Sequence, residues 1–240
     1  TIYLTESTVV VKGIKNKEGL LMSEILSIDI KRLFYGDQVL LNDIKLTVEK
    51  RERILITGIT GSGKSSLLST FNLMNRNYEG EILFEGKNIV EYQPEILRSK
   101  ICMVLQEPYL EDANVQEVLD LPLHYSSLKH RRLSDRQERI RNLFTSFQLP
   151  YEYLKKHTSQ LSGGEKQRIA LIRVLQLQPD ILLLDEITSA LDQKTSGIIS
   201  ECIFNNFAGT VIAISHDPLW QNKWQRNWVL ENGTIVDRRI

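Results

Sequence analysis

At 240 residues the chain has room for one large domain with a lobe attached. Its 30 basic and 30 acidic residues cancel, which leaves no general electrostatic pull toward nucleic acid or acidic lipid. No apolar run approaches the roughly 18 residues needed to cross a bilayer, and the N-terminus lacks the apolar stretch of about 7–15 residues that marks a signal peptide.

Residues 1–22 begin with Thr1, run polar and irregular, and lead into Met22-Ser23-Glu24. They are expected to be a poorly ordered extension with Met22 as the natural start, and 23–240 to be one domain. Residues 25–35 and 39–48 read as strands joined by a turn at Gly36-Asp37. Residues 53–57 are apolar with little alternation, as in a buried parallel strand. A glycine-rich loop and a helix over 64–72 follow. Residues 81–84 and 88 onward flank Glu85-Gly86-Lys87, a hairpin signal, and 101–105 form another short apolar strand.

Over 107–160 the character changes. Charges become dense, as in His130-Arg131-Arg132, while Leu133, Ile140, Leu143, Phe144 and Phe147 recur at helical spacing. This segment reads as a small helical lobe; its interleaved acids make a solvated helix face the better reading of the basic run than a nucleic-acid patch. The layered core then resumes with a helix over 164–177, a strand over 181–184, a helix over 193–207, a strand over 210–214 and a hairpin closed by Asn232-Gly233. Cys102 and Cys202 sit far apart in apolar surroundings. They are expected to be buried reduced thiols of a cytosolic protein, in preference to a disulfide or metal pair.

Three motifs carry chemistry. Gly58-Ile59-Thr60-Gly61-Ser62-Gly63-Lys64-Ser65 fits the phosphate-loop pattern. Its glycines turn backbone amides inward around phosphates, Lys64 reaches the β- and γ-phosphate oxygens, and Ser65 offers a hydroxyl to Mg²⁺. Alone, the motif says only that a nucleotide binds. The apolar run 181–184 delivers Asp185 and Glu186 to the C-terminal end of a buried strand, where ligands bind in open α/β sheets. Asp185 would hold Mg²⁺ and Glu186 would orient or deprotonate the attacking water. A pair of acids there is otherwise just a helix cap. Third, Ser162, Gly163 and Gly164 precede a helix and build another anion-receiving N-terminus. One nucleotide has no use for two such ends in one chain. Two chains placed head to tail do, each Ser162 loop closing on the γ-phosphate held by the other's Lys64.

With Leu161-Ser162-Gly163-Gly164-Glu165 the sequence resembles the ATP-binding subunits of ABC transporters, over about 25–236. The resemblance implies an α/β fold of the P-loop NTPase kind: a mixed central sheet, an N-terminal antiparallel β subdomain and a small helical subdomain. It implies an ATPase that binds ATP and Mg²⁺, forms a homodimer when ATP-bound, and lies at the cytoplasmic face of the cell membrane against a polytopic permease. No contact with cargo or nucleic acid is expected. Tyr35 matches the aromatic residue that stacks on adenine. Ile59, Thr60, Ser62 and Ser66 join the nucleotide-binding set, and Gln106 matches a glutamine that touches Mg²⁺ and the attacking water. Asp192 closes the loop Ser189-Ala190-Leu191-Asp192 that crosses the dimer seam, and His216 matches the histidine that contacts the γ-phosphate.

Three positions depart from the family pattern. Arg51 stands in place of a common glycine, Glu165 replaces the commoner glutamine, and Ile187 stands where many importers have proline. None removes a catalytic group, so an active enzyme is expected. Leu171-Ile172-Arg173 and Glu186-Ile187-Thr188 look like the small bacterial iron-export ATPases of the Fet type. Phosphate or amino-acid importers share the same core, and soluble non-transport ABC proteins are the more distant alternative.

Overall fold

The structure, a computed structural model, describes residues 24–125, 128 and 135–240. The expected N-terminal extension, His130-Arg131-Arg132 and Leu133 lie outside the described residues.

Strands β1 (Glu24–Tyr35) and β2 (Gln38–Glu49) pair antiparallel about Gly36, whose φ of 56° suits the tight turn. Alternation does the sorting: Leu26, Ile28 and Ile30 are buried while Asp29 and Lys31 face water. Strand β3 (Arg53–Gly58) enters a second sheet and leads through the glycine-rich loop to helix α1 (Lys64–Thr70). That helix stops two residues before the expected end, because the chain reverses through Leu73 at a φ of 59°.

Strand β4 (Tyr78–Phe84) then pairs with the free edge of β1, and a two-residue strand, β5 (Lys87–Asn88), closes the hairpin expected at Glu85-Gly86-Lys87. The strand expected to continue from 88 does not. A 3₁₀ turn (Ile89–Glu91) and helix α2 (Pro94–Lys100) occupy that stretch instead. Pro94, at the first helical position, starts a helix and lacks the N–H that a strand ladder needs.

Strand β6 (Ile101–Val104) lies at the far edge of the second sheet. Short helices follow: α3 (Val115–Asp120), capped by the Asn114 side chain, and α4 (Arg136–Ser146), which buries Ile140 and Phe144. Helix α5 (Gly163–Leu175), strand β7 (Ile181–Asp185), helix α6 (Gln193–Glu201) and strand β8 (Thr210–Ile214) complete the layered part. The helix expected over 193–207 is α-helical only to Glu201 and widens to a π turn over Cys202–Asn206. Strands β9 (Arg226–Glu231) and β10 (Thr234–Arg239) form the closing hairpin.

The second sheet has the order β10-β9-β3-β8-β7-β6, parallel throughout except for β10. Covered on both faces, the inner strands β7 and β8 show no alternation: Ile181 to Leu184 and Val211 to Ala213 are all 0% exposed. The antiparallel sheet packs across it through a core that includes Phe71, Phe84 and Trp228. Two further contacts join the sheets. The Asn42 N–H donates to the Gly233 carbonyl, and the buried Arg226 guanidinium reaches the Thr47 carbonyl, Glu52 and Asp237. Breaking so buried a charge cluster on one side costs about 3–5 kcal/mol.

Arg51, in the position of the common glycine, adopts the left-handed conformation glycine prefers, with a φ of 67°. Its N–H is held by the Thr210 hydroxyl at 2.9 Å, which offsets the strain. Both cysteines are buried, and among the described residues no disulfide joins them. Burial pushes the Cys202 thiol up to about 11, so it is no nucleophile at neutral pH.

Candidate active site

The phosphate loop sits between β3 and α1, and three of its glycines carry backbone that residues with side chains rarely adopt. Gly58, Gly61 and Gly63 have φ of 150°, 80° and 97°. A Cβ on Gly58 would lie 2.7 Å from the Leu230 carbonyl oxygen, so β9 and the loop pack in direct backbone contact. Lys64 is only 8% exposed. Its ammonium donates to the carbonyls of Gly58 and Ile59, both at 3.0 Å. No carboxylate lies within ion-pairing distance of it among the described residues, so the buried charge suits an incoming anion. The Ser62 hydroxyl oxygen is buried without a partner in the same loop. An orphaned polar atom and an anion-hungry ammonium are what a polyphosphate would satisfy.

The acid pair lies opposite. Asp185, the last residue of β7, accepts a hydrogen bond from the Ser65 hydroxyl at 3.0 Å. Burial raises the Asp185 carboxyl above the usual aspartate range, and Glu186 adds repulsion; the Ser65 hydroxyl and Lys64 pull the other way. A hydroxyl and a carboxylate this close, short of positive charge, are a donor set of hard oxygens that fits Mg²⁺. Glu186 has a φ of 47°, unusual for a residue with a side chain, and its N–H donates to the Ile214 carbonyl at 2.9 Å. Thus the β7–β8 ladder runs one residue past the strand and then turns sharply at the second acid.

Beyond that turn, the Gln106 amide donates to the Ser189 hydroxyl at 3.1 Å. The buried Gln167 of α5 holds the Leu105 carbonyl at 3.3 Å, fixing the segment that carries Gln106. Asp192 caps α6, accepting the Thr195 N–H and hydroxyl. One residue on, the Ser196 hydroxyl donates to Asp217, beside His216.

The signature segment forms a capping box. The Ser162 hydroxyl accepts the Glu165 N–H at 3.3 Å, and Glu165 returns a bond to the Ser162 N–H at 2.7 Å. Gly164 packs closely on α6, since a Cβ there would lie 3.2 Å from the Thr195 methyl. Ser162 and Gly163 are exposed.

About half of the expected site lines two adjoining clefts. One, of roughly 350 Å³, is lined by Tyr35, Thr60, Gly61, Gly63, Lys64, Ser65, Ser66 and Glu186. Tyr35 and Ile59, 73% and 80% exposed, stand at its mouth and on the loop crest. The other, of roughly 330 Å³, has Glu186, Ser189 and His216 in its wall. Gly58, Ile59, Ser62, Gln106, Asp185, Ser162, Gly163, Gly164 and Asp192 line neither cleft. Sequence reasoning missed Gln38 and Leu40 in the first cleft wall, Leu40 being the side chain packed on Gly63. Only their place after Tyr35 on an edge strand could have signalled them. It also missed Ser196 and Asp217, which no motif marks.

A phosphate loop after one strand, an acid pair after another and a parallel sheet between them define a P-loop nucleotide-hydrolysing fold. Comparison with known proteins narrows this. The ABC transporter family profile matches residues 41–189. The probable iron export ATP-binding protein FetA of Escherichia coli K12 is 37% identical over 185 residues, which cover 76% of this chain and 80% of that protein. The methionine import ATP-binding protein MetN 1 of Enterococcus faecalis is 34% identical over 81% of this chain but only 56% of its own length. Among solved structures, CbiO1 from Clostridium perfringens, part of the ABC transporter complex CbiONQ, superposes with a TM-score of 0.75 at 27% identity, covering 90% of this chain and 88% of that one. The dimeric post-hydrolysis form of the ATP-binding cassette MJ0796 bound to ADP and phosphate shares the fold, with a TM-score of 0.73 at 24% identity over 90% of this chain and 98% of that one. The chain belongs to the ABC transporter family. It is an ATPase of that family, and no helix among the described residues is long and apolar enough to cross a membrane.

Proposed function

We propose that this chain, one ABC ATP-binding domain over 23–240 with a helical lobe over about 107–160, drives a separate polytopic permease from the cytoplasmic face of a membrane. Two copies would close head to tail around two ATP molecules. One observation carries this reading: the Lys64 cleft and the Ser162 loop are two anion-receiving helix ends that line no common cleft.

In each site Lys64 and the amides of 58–66 would hold the phosphates, and Tyr35 would stack on the adenine. Ser65, Asp185 and Gln106 would hold Mg²⁺, which supplies charge neutralisation on the phosphate oxygens. Glu186 would orient the attacking water and take its proton. His216 would contact the γ-phosphate, and Asp192 with its loop would line the seam between copies. Such catalysis is positioning plus electrostatics. The path to a permease would run through Gln106 and the segment after it. Arg173 of α5 anchors that segment, donating to Glu111 and to the Tyr109 carbonyl, both at 2.9 Å, while the Tyr109 ring stays 74% exposed.

For cargo we propose metal export of the iron type, which rests on the likeness to FetA and on Leu171-Ile172-Arg173 and Glu186-Ile187-Thr188. An amino-acid importer is the second reading, favoured by the likeness to MetN. The test is affinity capture of this chain from detergent-solubilised native membranes, followed by mass spectrometry. A polytopic membrane protein in near-equal amount is the expected result, and its identity reports the cargo. Recovery of soluble proteins alone would overturn the transport reading.

A further inference from the structure

Glu165 places a carboxylate three residues inside a loop that has to receive phosphate. It folds back on that loop, with Oε2 accepting the Ser162 N–H at 2.7 Å and Oε1 accepting the Tyr153 hydroxyl at 2.9 Å. Lys156 Nζ stands 3.7 Å from Oε2, with the Glu165 and Lys156 side chains 17% and 27% exposed. The same ammonium lies 4.1 Å from the centre of the Tyr153 ring. Tyr153 belongs to the 3₁₀ turn Tyr151–Lys155 and Lys156 directly follows it; neither lines the nucleotide cleft.

Burial pushes the Glu165 carboxyl up, but the Ser162 N–H, the Tyr153 hydroxyl and Lys156 together outweigh it and hold the group below the usual range. It is therefore an anion at neutral pH. The capping box uses the Ser162 oxygen as an acceptor, and the Ser162 side chain also helps hold the Glu165 carboxyl down. On the reading that this loop receives phosphate, a charge of the wrong sign stands directly behind it.

We propose that Lys156 is a positioning residue that makes the loop able to receive ATP: it cancels the charge of Glu165 and, with Tyr153, keeps that carboxylate on the Ser162 amide. This rests on the reading that the Ser162 loop serves a nucleotide held by a second copy. A neutral Gln at 165 would keep an acceptor for the Ser162 amide and remove the need for the cation. Lys156 and Glu165 are thus coupled, and the coupling is electrostatic.

The experiment uses the full chain carrying Glu186→Gln, which is expected to bind ATP, fail to hydrolyse it and remain closed as a dimer. ATP-driven dimerisation is followed by sedimentation, and nucleotide affinity is measured separately on dilute single chains. Lys156→Met should weaken dimerisation by about 3- to 10-fold, less so at high salt, with nucleotide affinity unchanged. Lys156→Arg should restore it. In a Glu165→Gln background, Lys156→Met should have no further effect. Unchanged dimerisation in Lys156→Met overturns the proposal, as does an equal loss in the Glu165→Gln background, which would mean that Lys156 acts through local packing alone. If the parent Glu186→Gln chain does not dimerise with ATP, the two-copy reading itself falls, and the brace with it.

Discussion

The two loops proposed to receive phosphate are held by different means. The phosphate loop is anchored from within, by left-handed glycines, a lysine 8% exposed and direct backbone contact between Gly58 and β9, while its crest at Ile59, Thr60 and Gly61 is open to water. The Ser162 loop is a surface object, held by a capping box and a tyrosine–lysine–glutamate brace, with Ser162 and Gly163 open to water. A loop that must bind a nucleotide unaided needs its amides oriented beforehand, and here the glycine turns and the Lys64 ammonium bonded to the Gly58 and Ile59 carbonyls supply that order. A loop that acts only when a second chain arrives has to stay outside and be held from behind.

This contrast can be broken experimentally. Lys64→Ala should have the largest effect, removing measurable nucleotide binding by the single chain in equilibrium titration, because the buried ammonium has no substitute. Glu186→Gln should leave that binding intact and lower ATP turnover by about 10²–10⁴-fold in a phosphate-release assay. Turnover near that of the unmodified chain would remove Glu186 from its role. Ser162→Ala should also spare single-chain binding, yet lower turnover by about 10–100-fold and cost about 1 kcal/mol of stability as a lost helix cap. A Ser162→Ala chain with weakened binding in the isolated monomer would mean that the two loops share one nucleotide.

The smallest effect concerns Asp185, where function and stability pull apart. Burial raises its folded pKa, so the stability it contributes is present below the unfolded value and lost as pH rises through the folded one. Asp185→Asn should therefore raise the melting temperature of the ligand-free protein at neutral pH. The gap should close as pH falls through the carboxylate range. Addition of ATP with Mg²⁺ should stabilise the unmodified chain more than the variant. A variant less stable than its parent at neutral pH would contradict the burial argument.

How far the fold could be read varied with the reach of the interactions involved. Strand β7 was legible because a run buried on both faces has to be apolar throughout, and β1 and β2 because one wet face enforces alternation. Helix α2 was not, since the hairpin signal before it suggested a longer strand and only Pro94 argued otherwise. The helix over 193–207 was placed, but its passage into a π turn at Cys202 was not, because periodicity does not distinguish the two over a single turn.

The sequence by itself determined the order of the motifs and the local backbone of each, because a phosphate loop, a capping box and an acid pair after a strand are local objects whose residue types follow from their own backbone. Tertiary structure alone decided which of them meet. Ser65 reaches Asp185 across 120 residues and Gln106 reaches Ser189 across 83. Parallel strand order brings those loops to one edge of the sheet, and no short-range pattern encodes that order. The same holds for the brace behind Ser162. Tyr153 and Lys156 are ordinary residues of a short turn, and only the packing of that turn on α5 sets a hydroxyl and an ammonium against the one carboxylate in the loop.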